Sequence, residues 1–140
     1  MKQIKTKIVI NCNIEKVWQI LMNFNEYPEW NSFIKYIKRS ENEKNKLEVK
    51  IQPPNKNMMV FRPTIIDEIP NKRFSWKGKL LFSGLFDGEH FFELISNNDG
   101  STTFIHSEKF SGILLPFIDL SATEKGFILM NNELKALSEN

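Results

Sequence analysis

The chain has 140 residues, 41% of them hydrophobic, which suits one globular domain with a substantial core and is too short for two. Nineteen basic residues against seventeen acidic ones leave +2, scattered apart from the mixed run Lys35 to Lys50, so the charge describes a solvated surface and not a nucleic-acid footprint. No apolar run approaches the roughly 20 residues a membrane helix needs, and one cysteine, Cys12, with His90 and His106 as the histidines, gives neither an internal disulfide nor zinc-ligand spacing.

Met1 to Lys5 alternates instead of building a signal-peptide core, so a cytoplasmic location is expected. Ile4, Thr6, Ile8 and Ile10 alternate with Lys5, Lys7, Val9 and Asn11, the period of a strand with one wet face. Asn13 then offers a helix N-cap, and Ile14, Val17, Trp18 and Leu21 fall on one helical face. Asn23 and Asn25 break the pattern, Pro28 fixes φ at the start of a second short helical turn, and Tyr27, Trp30 and Phe33 crowd large apolar surface around it. Ile34 to Arg39 and Lys46 to Gln52 read as a hairpin across the polar loop Ser40 to Asn45. After the break at Pro53 to Asn57, Met58 to Ile69 reads as one strand whose Pro63 predicts an edge position or a bulge.

Pro70 to Lys72 turns the chain into the strand Arg73 to Phe82; Ser83-Gly84 separates this from Leu85 to Ser96, and Asn97 to Gly100 turns into Ser101 to Phe110. From Gly112 the period changes. Phe127, Met130, Leu134 and Leu137, with Asn131 beside them, predict a helix over Thr123 to Ser138, its start made irregular by Pro116 and Gly126. The order is therefore one strand, two short helices, six strands and a long helix. A run of strands uninterrupted by helices is an antiparallel meander, and the fold class is α+β with the last helix covering one face. A single helical stripe cannot fill the concavity of a curved sheet of about seven strands, so a cavity between sheet and helix is expected.

The candidate chemistry lies on two neighbouring strands. His90 alternates with Phe92 and Leu94, and His106 alternates with Phe104, Glu108 and Phe110. A four-residue loop at Asn97 to Gly100 pairs His90 with Ser107, whereas a five-residue loop or one bulge puts both histidines on the same side. The alignment of their apolar partners favours the shared face. A buried histidine beside Glu108 is suited to acid–base work near neutrality, to holding a ligand's hydroxyl or carbonyl, or to a structural role, and the sequence supplies no third group that decides. Asp67, Glu68, Asp87 and Glu89 do not converge at a spacing for metal binding or paired-carboxylate hydrolysis, and no glycine-rich phosphate loop is present; no metal and no cofactor are expected.

The segment V-W-Q-I-L-M-N-F-N-E-Y-P-E-W-N-S-F, from Val17 to Phe33, resembles the START-like or SRPBCC superfamily in its polyketide cyclase/dehydrase-like branch, and the resemblance continues through Phe61 to Trp76, Gly84 to Leu94 and Phe104 to Gly112. It implies a helix-grip fold, a curved antiparallel sheet wrapped around a long C-terminal helix with an apolar cavity between them. On that layout Trp30, Trp76, Phe82, Phe92, Phe104, Phe117, Phe127 and Met130, with His90 and His106, line the cavity, and Met58-Met59 forms an adaptable lip at its mouth. Similar folds host carriers, receptors, cyclases and chaperone activators. Many rings with few convergent polar groups predict a carrier or sensor of a small, largely apolar ligand such as a lipid, isoprenoid or polyketide-like compound. The alternatives are a cyclase or dehydratase using His90, His106 and Glu108, and a protein-interaction module.

Overall fold

The structure, a computed structural model, describes residues 1–80 and 82–140; Leu81, which the sequence places in the strand Arg73 to Phe82, lies outside them. Strand β1 (Lys2–Ile10) leads into α1 (Ile14–Met22), a single helical turn at Phe24–Glu26 and the short α2 (Tyr27–Trp30). The Asn13 side chain accepts the Lys16 amide at 2.9 Å and caps α1 as expected, while Val17 and Leu21 are buried and Ile14 and Trp18 lie at the edge of the core. Two contacts pin the aromatic turn. The buried Tyr27 hydroxyl donates to the Leu21 carbonyl at 2.7 Å, and the amide and hydroxyl of Ser32 both donate to the Glu133 carboxylate on the terminal helix.

The described residues form eight strands in two antiparallel sheets, one strand more than the sequence suggests. The smaller sheet is β2 (Ile34–Arg39), β3 (Leu47–Ile51) and β4 (Met59–Phe61); the larger runs β1, β8 (Thr102–Ser111), β7 (Asp87–Ser96), β6 (Arg73–Lys79), β5 (Thr64–Ile69). Pro63 accounts for the extra strand. Lacking an N–H, it cannot continue a ladder, and the chain leaves β3 at Phe61 and pairs with β6 from Thr64, so Met58 to Ile69 is two strands in two sheets. At this crossing the sheets are stitched by a lone bridge, Lys46 to Thr64, by the Leu47 amide donating to the Pro63 carbonyl at 3.0 Å and by the Ile65 amide donating to the Asn45 carbonyl at 2.7 Å. The turn between β5 and β6 is tight enough to hold Asn71 at φ 60°, a left-handed conformation that asparagine tolerates.

Helix α3 (Ser121–Glu139) runs across β1 and β8 and meets α1 and α2. Its buried stripe is Phe127, Met130, Asn131, Leu134 and Ser138; Leu137, expected in the stripe, is 37% exposed, because three turns from Phe127 carry the face to Ser138 instead. Gly126 does not disturb the helix. A Cβ there would sit 2.2 Å from Phe33 Cδ1, so the missing side chain is what lets the Phe33 ring lie against the backbone. Pro116 falls outside, in the separate turn Leu115–Phe117. Burying Phe127, Met130 and Leu134 stabilises by about 1.5 to 3 kcal/mol each, which fixes the helix as the plug of a helix-grip, α+β domain. No helix among the described residues is long and apolar enough to cross a membrane.

Candidate functional site

The parity of the β7–β8 hairpin decides what faces inward. Ser96 pairs with Thr102, leaving a loop of residues 97–101 in which the Asp99 carboxylate accepts the amide and hydroxyl of Ser101. One residue more than the tightest alternative, this loop puts His90 opposite Glu108 and Phe92 opposite His106, so the two histidines share the inner face. His90 stacks on Trp76 with ring centroids 4.5 Å apart, and His106 stacks on Phe127 at 4.0 Å. Both rings are 1% exposed or less.

These side chains form one hydrogen-bonded chain. Glu108 Oε1 lies 3.0 Å from His90 Nδ1, His90 Nε2 lies 2.8 Å from His106 Nε2, and His106 Nδ1 lies 2.9 Å from Asn131 Oδ1. Asn131 Nδ2 donates to Thr6 Oγ1 at 2.8 Å, and Thr6 Oγ1 donates to the His106 carbonyl at 2.8 Å.

The last of these bonds sets the direction of all the others. A backbone carbonyl only accepts, so the Thr6 hydroxyl donates there and accepts from the Asn131 amide nitrogen, which turns Oδ1 toward His106. His106 Nδ1 therefore carries the hydrogen. Burial, reinforced by the neighbouring His90, holds His106 well below its ordinary pKa against the opposing hydrogen bond to Asn131, so the ring is neutral and its Nε2 accepts. His90 donates from Nε2. Burial pushes His90 down to about 3 and raises Glu108 to about 8, so near neutrality one proton is shared between Glu108 Oε1 and His90 Nδ1.

Glu108 is where the chain meets open space. A pocket of about 440 Å³ lies between the two sheets and the start of α3. Trp76, Gly78 and Leu80 continue into Gly88, Glu108 and Phe110 along one wall; Ile51, Met59 and Phe61 face them; Phe33, Leu120, Ala122 and Thr123 close the end. The exposed Lys56, Lys79 and Asp119 supply charge around it. Gly88 makes room for the acid, since a Cβ at that position would lie 2.2 Å from Glu108 Oε2.

Of the ring residues named from the sequence, Trp76 borders this pocket, as does Met59 of the expected lip. Phe92, Phe104 and Phe127 are fully buried and packed around the histidines, Met130 is fully buried on α3, and Trp30 is half-buried against Tyr27. Phe82 and Phe117 are 58% and 84% exposed. Both sit on connecting turns that bond to each other through the Ile113 amide on Gly84 O and the Leu114 amide on Leu85 O, and turns carry no alternation to aim a ring inward. Sequence reasoning left out Phe33, Phe86, Phe110 and the first turn of α3 as pocket lining, and the role of Asn131 and Thr6. For Phe110 the signal was present, in its shared parity with His106 and Glu108; for Asn131 it was an amide in the middle of an apolar stripe.

Solved structures of similar shape span nearly the whole chain. The Zhui aromatase/cyclase from Streptomyces sp. R1128 superposes with a TM-score of 0.76 at 9% identity, covering 99% of this chain and 93% of that one. A START superfamily protein from Mycobacterium smegmatis gives 0.72 at 14% identity over 98% and 97%, and a hypothetical protein from Helicobacter pylori gives 0.76 at 14% over 98% and 88%. At these identities the likeness concerns the fold. No curated protein matches the sequence significantly. The family model described as polyketide cyclase / dehydrase and lipid transport matches residues 1–135, and the chain belongs to that family.

Proposed function

We propose that this protein binds a small, largely apolar molecule, of lipid, isoprenoid or polyketide-like character, in the pocket between its sheets and α3, as a carrier or sensor. The observation that carries the reading is the pocket itself: about 440 Å³ walled by Trp76, Phe61, Phe110 and aliphatic side chains, with Glu108 and Thr123 as half-buried polar groups in its lining. That combination of apolar lining and a placed polar contact suits a ligand held by burial and oriented by one hydrogen bond. The lipid transport named in the family description supports it.

The competing reading, a cyclase or dehydratase, asks Glu108, His90 and His106 to move protons. The inner end of the chain argues against relay through the histidines, because the bonds terminate on the His106 carbonyl, which takes up no proton. A Glu108 that gave its proton to a ligand would also be left facing the His90 Nδ1 lone pair. Native mass spectrometry of freshly purified protein, followed by titration with an apolar naphthalene fluorophore, tests the binding reading. Expected is one site per chain, blocked by Ala122→Phe at the pocket end with cooperative unfolding retained. A fluorophore that does not bind, or binds the folded Ala122→Phe variant equally well, would overturn it.

A further inference from the structure

The direction of the hydrogen-bond chain also determines what Glu108 shows to a ligand. Its Oε1 is engaged by His90 whether the shared proton sits on the acid or on the imidazole. Its Oε2 lies over Gly88 on the pocket wall and has no hydrogen-bond partner among the described residues. In the acid form Oε2 is the carbonyl oxygen of a carboxyl whose hydrogen points inward; in the ion-paired form it is a carboxylate oxygen. Both present lone pairs only.

For Oε2 to donate, Glu108 would have to turn its hydrogen outward. His90 Nδ1 would then need a hydrogen of its own, and a neutral His90 would face His106 with Nε2 lone pair against Nε2 lone pair at 2.8 Å. The Thr6 hydroxyl and the Asn131 amide, fixed from the His106 carbonyl, forbid His106 from relieving that clash. Glu108 thus meets the pocket as an acceptor only.

We propose that the ligand's polar end is a neutral hydrogen-bond donor, an alcohol or phenol hydroxyl, and that Glu108 Oε2 selects it over ketones and esters of the same skeleton. This rests on the binding reading above and names the class of ligand within it. An ammonium donor is disfavoured, because Glu108 and His90 together carry no net charge to balance it in an apolar space. The remaining charged groups of the pocket, Lys56, Lys79 and Asp119, lie at its exposed side, away from the inner wall.

The test uses three probes of one skeleton, naphthalenemethanol, acetonaphthone and ethylnaphthalene, with each Kd corrected for the probe's own water-to-octanol partition. In the wild-type protein the corrected affinity should favour the alcohol over the ketone by about 2- to 10-fold, the range of one neutral hydrogen bond. Glu108→Gln should keep that preference, because its amide nitrogen must face His90 Nδ1 and leaves its oxygen toward the pocket; Glu108→Leu should abolish it. Equal corrected affinities in the wild-type protein overturn the inference and leave the pocket reading standing. A ketone preference in wild type or in Glu108→Gln overturns it as well. If none of the three probes binds, the pocket reading falls and this inference with it.

Discussion

The buried acid and its two histidines should give the protein a stability maximum near pH 6.5 that one substitution reshapes. Folded His90 and His106 stay neutral, His90 down to about 3, whereas unfolded histidine titrates at 6.5. Their contribution is therefore complete above pH 6.5 and is lost as the pH falls. Glu108 works in the opposite direction. Raised from 4.5 to about 8, it favours the folded state at low pH and loses that contribution as the pH climbs through about 8. Near pH 6.5 the unfolded chain holds half a proton on each histidine and the folded chain holds one on Glu108, so the slopes cancel. Integrating from there, these three groups reduce stability on the acid side, as the histidines of the unfolded chain charge, and by about 1 kcal/mol at pH 9.5. Urea unfolding followed by tryptophan fluorescence across that range measures the curve. Glu108→Gln removes the acid's titration while keeping a donor for His90, so the alkaline decline should vanish and the acid-side loss should roughly double. Parallel profiles for the two proteins between pH 7 and 9.5 would refute the assignment of the shared proton.

Gly126→Ala should cost about 1 to 3 kcal/mol in urea unfolding, since its methyl group displaces the Phe33 ring from the helix. Asn131→Leu should cost about 1 to 3 kcal/mol by leaving the buried His106 N–H without its acceptor and the Thr6 hydroxyl oxygen without its donor, and nitrogen NMR of the histidines should register the changed His106 environment; an unchanged stability and spectrum would refute the chain. Deleting Thr123 onward should abolish cooperative unfolding, because the lost burial rivals the net stability of a small domain; calorimetry showing an intact transition would contradict it. Phe127→Trp should destabilise by about 1 to 3 kcal/mol, since that ring is fully buried and already packed on His106; a neutral melt would mean that space remains there.

What was legible in the sequence was periodic. The inner faces of β7 and β8 follow from alternation, and α3 follows from Phe127, Met130 and Leu134, so the shared face of His90 and His106 needed only one extra loop residue to be right. Pro63 was legible as a break but not as a change of sheet, because a missing N–H says where pairing stops and not where the chain goes next. Phe82 and Phe117 are expected in the lining only from the layout that the resemblance implies, and in turns a ring has no partner parity to orient it. The polar chain was the least legible part. Thr6, His106 and Asn131 come from the first strand, the last strand and the last helix, and their meeting exists only after the sheet has curved around α3.

The seam at Lys46 and Thr64 divides the molecule mechanically. The pocket's two long walls belong to different sheets, and among the described residues the backbone bonds between those sheets are the ones at that seam. Parting the walls would bend the two places where the chain passes between the sheets, at α1–α2 and at Arg62-Pro63, and leave each ladder whole. The short β4, with Met59 and Phe61, forms one side of the pocket, and the five-stranded sheet with α3 is the base on which Glu108, His90, His106 and Asn131 are mounted. The wall that carries the polar chain and the wall that faces it are thereby separately bonded parts of one small domain.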